Sequence, residues 1–149
     1  MRPSKSRARS RTGVLTAFLW LGAAAPCGAH ESPVAVGEVR DESASGTFSE
    51  ALRSVLTDAM ATAELGRPRE RFVLSATLVR LDAERVGRGA RATALVSLVL
   101  RREREQSLHA VLSGRATAEE ESGSVSETRA DALRAAVTSA LRRLPEAVR

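Results

Sequence analysis

The sequence predicts an α+β domain built as a two-layer sandwich: a four-stranded sheet with two helices on one face, in the order β-α-β-β-β-α. Three observations lead there. From Phe72 to Thr117, apolar side chains fall at every second position in three successive runs, the period of strands with one buried face. Around Leu52 and around Leu133 they fall three and four apart, the period of an amphipathic helix. The links between the last three strands are short, which makes those strands an antiparallel meander. Elements with one apolar side bury it by stacking in layers.

Pro33 to Arg40 reads as the first strand, with Val34, Val36 and Val39 as its β-branched content. Residues 41–46 are a polar loop. Thr47, with Glu50 three residues on, makes a capping box that opens the first helix. Phe48, Leu52, Val55, Leu56, Ala59 and Ala63 line its apolar side, and Gly66 with Pro68 stops it near Leu65. Phe72 to Leu81 is the second strand. Phe72, Leu74, Ala76 and Leu78 share one face; Val73, Ser75, Thr77 and Val79 share the other. Asp82 to Gly89 is a charged turn.

Ala90 to Leu100 is the third strand, with its even-numbered residues inward. Arg101 to Gln106 turns the chain again. Leu108 to Thr117 is the last strand, with Leu108, Ala110, Leu112, Gly114 and Ala116 inward. The acidic run Glu119-Glu120-Glu121 leads to a second capping box, Ser124 with Glu127. The closing helix presents Ala130, Leu133, Val137, Ala140, Leu141 and Leu144 to the sheet, and Pro145 ends it. Leu52, Leu56, Phe72, Leu98, Leu133 and Leu141 are the expected core.

The first 29 residues read as a secretory signal peptide, leaving residues 30–149 as a single domain. Arg2, Lys5, Arg7, Arg9 and Arg11 form a basic start without any acid, Val14 to Ala25 is an apolar run, and Cys27-Gly28-Ala29 is a small-residue end. Cleavage after Ala29 leaves eighteen arginines against eighteen acids, so the formal charge of +5 belongs to the precursor. The domain is then periplasmic or secreted. The alternative is lipidation at Cys27, which makes an outer-membrane lipoprotein; Ala24 and Pro26 match the lipobox poorly. The apolar run is shorter than the ~20 residues a spanning helix needs. The exported domain holds no cysteine, so it depends on packing alone.

Composition excludes several functions. Only Phe48 and Phe72 remain as aromatics after cleavage, and the domain is neutral, so it lacks the stacking platforms and basic groove of a single-strand nucleic-acid binder. His30 and His109 are the two histidines, with no zinc spacing around them. No G-x-S-x-G elbow is present. Gly87-Arg88-Gly89 joins two strands, whereas a phosphate loop opens a helix. Glu119 to Glu121, and Asp82 with Glu84, read as solvated charge rather than as cation ligands. The expectation is a non-enzymatic protein without cofactor or metal.

What remains is a surface. The sheet face away from the helices carries Val73, Val79, Leu95, Val99 and Val111 among serines, threonines, arginines and an outward His109. Five apolar residues on an open face are a candidate contact for a protein partner.

The order strand-helix-three strands-helix behind an export segment resembles several small envelope proteins of Gram-negative bacteria. These are the lipoprotein of the lipopolysaccharide translocon, the amino-terminal domain of the Tol propeller protein and the curli secretion lipoprotein. The stretch Ala132-Leu133-Arg134-Ala135-Ala136-Val137 is similar to exported proteins of high-GC bacteria. The resemblance implies an envelope protein that binds a partner or an assembly. The alternative is a small-ligand or lipid-binding domain, with a pocket between helices and sheet bordered by Phe48, Leu52, Phe72 and Leu133.

Overall fold

Every second residue of the central strand points into a shared core, and the architecture follows from that. The computed structural model describes residues 32–66 and 68–149. The chain divides into two units, Met1–His30 and Glu31–Arg149. The described residues belong to the second. Residues 1–29, which the sequence reads as a signal peptide and which include Cys27, and His30 lie outside the described residues.

The elements are β1 (Val34–Asp41), α1 (Ser49–Thr62), β2 (Phe72–Val86), β3 (Gly89–Arg102), β4 (Leu108–Glu120), α2 (Val125–Leu141) and a short α3 (Leu144–Ala147). The sheet order is β1-β2-β3-β4. The first pair is parallel and the other two are antiparallel. A parallel neighbour needs a crossover, and α1 supplies it. Both long helices pack on one face, α1 against β1 and β2, α2 mainly against β3 and β4. The α+β sandwich with two helices over a four-stranded sheet is the predicted fold.

The core lies between these layers. Leu52, Leu56, Phe72, Leu98, Leu133 and Leu141 are all buried, as expected. So are the even-numbered residues from Ala90 to Leu100. On α2, Ala130 turns to solvent while Ala132 and Ala136 are buried in the core. Thr128 is fully buried but satisfied, because its hydroxyl donates to Ser124 O at 3.0 Å. Gly114 lets α2 settle onto β4, since a Cβ there would lie 2.0 Å from Ala136 O.

Several further expectations need correction. The Thr47 capping box does not form; α1 starts at Ser49, with Phe48 as N-cap and no side-chain cap. The acceptor comes instead from the end of β1. Asp41 Oδ2 takes the Phe48 N–H at 2.7 Å, and its Oδ1 takes the Ser43 N–H at 2.8 Å. Burial pushes the Asp41 carboxyl up, but hydrogen bonds from Ser43 and Phe48 outweigh it and hold the carboxyl below its ordinary range. At its other end α1 stops at Thr62 rather than near Leu65, and Leu65 turns into the core.

The charged turn after Leu81 is strand up to Val86. Only Gly87 and Arg88 turn, with Gly87 at φ +62°. Asp82 and Glu84 lie on the solvated face beside Thr93 and Arg91, where charge has no burial cost. Likewise β4 runs three residues past Thr117, to Glu120.

The last correction concerns the start of β4. The register shifts between Leu100 and Arg101, so that Leu100 pairs with Ala110 and Arg101 with Leu108. His109 is the extra residue, a β-bulge. Alternation reverses there. Leu108, expected inward, is 64% exposed on the open face. His109, expected outward, faces the helical side: its Nε2 lies 2.6 Å from Ala147 O, and its ring centroid lies 4.9 Å from that of Phe72.

Candidate functional site

The open face of the sheet is read best in rows across the strands. One row carries Val73, Arg101 and Leu108. The next carries Ser75, Val99 and Val111, with Val99 directly opposite Val111. A polar row follows, Thr77-Ser97-Ser113, and then Arg80-Leu95-Arg115. Beyond it Thr93 and Thr117 share a hydrogen bond of 3.0 Å, and Arg91 bonds Glu119 at 2.7 Å.

The five candidate residues therefore separate into two groups. Val73, Val99 and Val111 adjoin one another, and Leu108 joins them because of the bulge. Leu95 lies beyond the polar row, flanked by Arg80 and Arg115. Val79 is near it as the extra residue of a second bulge, between Leu78 and Arg80. Val111 is 58% exposed and Val79 41%, while Val73, Leu95 and Val99 are half-buried by their neighbours. Leu108 escaped the sequence reading because strict alternation puts it inward. No residue pattern in the turn marks the bulge.

The Val73-Val99-Val111-Leu108 cluster reaches the sheet edge. β4 is an edge strand of the sheet, and among the described residues no strand lies beside its outer backbone groups. Exposed strand edges are templates for another chain unless something blunts them.

The residues considered for chemistry are held apart or already engaged. Glu119 points to the open face and pairs with Arg91, whereas Glu120 points to the helical side, where its Oε2 accepts from Thr128 at 3.4 Å. Strand alternation thus splits the acidic run between two faces. Asp82 pairs with Arg80, and Glu84 lies 3.8 Å from Arg91. Among the described residues, no group of three or more His, Cys, Asp or Glu could hold a metal ion. His109 donates to a backbone carbonyl and lies tilted against the Phe72 ring, which makes it a tie for α3.

The residues expected to border a ligand belong to the core between the layers. Leu52, Phe72 and Leu133 are all buried members of the core, and Phe48 is partly buried against it. Arg129 lies over the Phe48 ring, 5.9 Å from its centroid. A groove of about 550 Å³ does run along the outer flanks of α1 and α2, past Val55, Ala59 and Leu141, with Asp58 on one wall and Arg134 on the other. Arg134 is engaged within α2, by Asp131 at 2.6 Å.

No family model matches the chain, and no curated protein matches it in sequence. Solved structures do match in fold. The PelC dodecamer from Paraburkholderia phytofirmans superposes with a TM-score of 0.59 at 15% identity, over 78% of this chain and 87% of the other. Protein XCC0632 from Xanthomonas campestris, of family DUF330, gives 0.53 at 13% identity, over 78% and 82%. At these identities the likeness is one of fold: the chain is built on the strand-helix-three-strand-helix sandwich that those two proteins share.

Proposed function

We propose that this is a small exported envelope protein that does no chemistry of its own and binds a protein partner or assembly through the open face of its sheet. The observation that carries this reading is the Val73-Val99-Val111-Leu108 cluster beside β4, an edge strand among the described residues. A partner laid there gains apolar burial and strand-edge hydrogen bonds together. The basic, apolar and small-residue order of residues 1–29 supports export, with cleavage after Ala29 and a periplasmic or secreted product. Lipidation at Cys27 would add a membrane tether without changing the face.

A second copy of the chain is one partner that fits. The PelC structure of similar fold is a dodecamer. Extended to this chain, that makes the face a subunit contact. The burial of Leu52, Phe72 and Leu133 among core side chains supports a partner surface over the small-ligand alternative.

The test uses Val99→Lys and Val111→Lys in residues 30–149, which contain the whole described core. Each lysine places an unpaired charge in the contact. Sedimentation velocity of the isolated domain and capture from envelope extract are compared with wild type. Loss of self-association or of captured partners, with an unchanged circular dichroism melt, is the expected result. Folded variants that retain all of the wild type's contacts remove this face from consideration.

A further inference from the structure

We propose that the arginine-rich end of the sandwich, where the chain joins the fold, is a docking surface for an anionic lipid bilayer. The domain is neutral as a whole, but its charge is separated along the strands. One end, the near end, is where β1 starts, beside the start of β2, and Phe72 N–H donates to Pro33 O at 3.0 Å. The antiparallel register brings the end of β3 and the start of β4 there as well. Both long helices run towards it, and α3 is tied to it by His109.

Among the described residues, segments 62–73, 100–109 and 141–149 form this near end and carry eight arginines against five acids. The opposite end, built from segments 41–50, 82–91 and 117–129, carries nine acids against four arginines. Folding therefore turns a sequence of mixed charges into a molecule with a basic pole and an acidic pole.

Helix dipoles account for part of this pattern. Glu50 and Glu127 stand at helix N-termini, and Arg142 and Arg143 follow the C-terminus of α2. They do not account for Arg69 and Arg104, which stand on links between elements. Those two line a cleft of about 350 Å³ with Arg102, Glu70 and Glu105. Arg102 is spoken for by Glu70 at 2.9 Å and Glu105 at 3.5 Å. Arg69 and Arg104 are exposed, and neither forms an ion pair among the described residues.

Where residues 1–29 are retained, as in the alternative of lipidation at Cys27, the chain that precedes the described fold favours the same occupant. Its apolar run Val14–Ala25 and Cys27 precede Ser32, which lies at the basic pole. Five peptide steps separate Cys27 from Ser32, a reach of about 17 Å. A chain held in a bilayer by either feature would keep the arginines within one or two Debye lengths of lipid phosphates.

The test is vesicle co-sedimentation of residues 30–149, with no tether, on phosphatidylcholine alone and on an equal mixture with phosphatidylglycerol. Binding to the anionic vesicles only, and its loss at 0.5 M salt, is the expected result. Each arginine at such a surface is worth about fivefold in partition. Arg69→Glu with Arg104→Glu should therefore lower binding at least tenfold. Arg85→Glu with Arg88→Glu makes the same charge change at the acidic pole and should leave binding within about twofold. Thermal melts of both pairs check folding, and Val99→Lys should still bind, which separates this surface from the open sheet face. Equal losses from the two pairs, equal binding to both lipids, or no binding by wild type overturns the proposal.

Discussion

The two faces of β3 are made by the same fourteen residues, yet they obey different rules. On the helical side the strand presents Ala90, Ala92, Ala94, Val96, Leu98 and Leu100, all buried. On the open side it presents Arg91, Thr93, Leu95, Ser97, Val99 and Arg101, none of them buried. The covered face must match a helix in shape, so size matters at every position. The open face has only cross-strand neighbours to satisfy, so charge, hydroxyl and valine coexist there. The difference teaches where change is tolerated: the covered face encodes stability, and the open face is free to encode contacts.

The comparison breaks most visibly at Gly114. A side chain there meets the α2 backbone, 2.0 Å from Ala136 O and 2.6 Å from Ala140 N. Gly114→Val should cost about 4 kcal/mol or more, because backbone cannot yield as a side chain can. Far-UV circular dichroism at rising urea should find little folded protein at room temperature. A normal midpoint would mean that α2 does not rest on β4.

Leu98→Ala comes next. It removes a fully buried side chain from the centre of the covered face and should cost about 2–5 kcal/mol. The denaturant midpoint reads it directly. A change within experimental error would put Leu98 at a mobile site.

Asp41 is intermediate because it serves neither face but joins β1 to α1. Asp41→Ala removes the acceptor of two backbone N–H groups and should cost about 1–2 kcal/mol at pH 7. Its folded carboxyl sits below the ordinary range, so the contribution is present above the unfolded value of about 4 and is lost as pH falls through the folded one. Melting curves of wild type and variant should therefore converge in acid. A gap that stays constant down to pH 2 would assign the effect to packing instead.

The smallest effect belongs to the open face. Val111→Lys changes an exposed edge residue and should move stability by no more than about 0.5 kcal/mol. A large loss in the thermal melt would show that the face is covered in solution, by a second copy or by the chain's own residues 1–31.

Periodicity alone determined the fold class, the order of the strands and the two long helices, and most of the buried set. Burial on one side of a helix or strand is a local property, repeated every 3.6 or two residues, and the sequence carries it openly. The Ser124–Glu127 capping box was legible for the same reason, since its donors and acceptors lie within one turn. Three features were decided by the tertiary structure. Asp41, rather than Thr47, satisfies the start of α1, because the acceptor arrives from seven residues away once β1 is placed. The bulge at His109 reverses alternation and moves Leu108 into the open-face cluster, because β3 and β4 must agree in register over their whole length. The separation of charge into two poles appears only when antiparallel strands bring residues 70, 102 and 149 to one end. Local patterns fix which side of an element is buried, but only the pairing of distant segments fixes which exposed groups become neighbours.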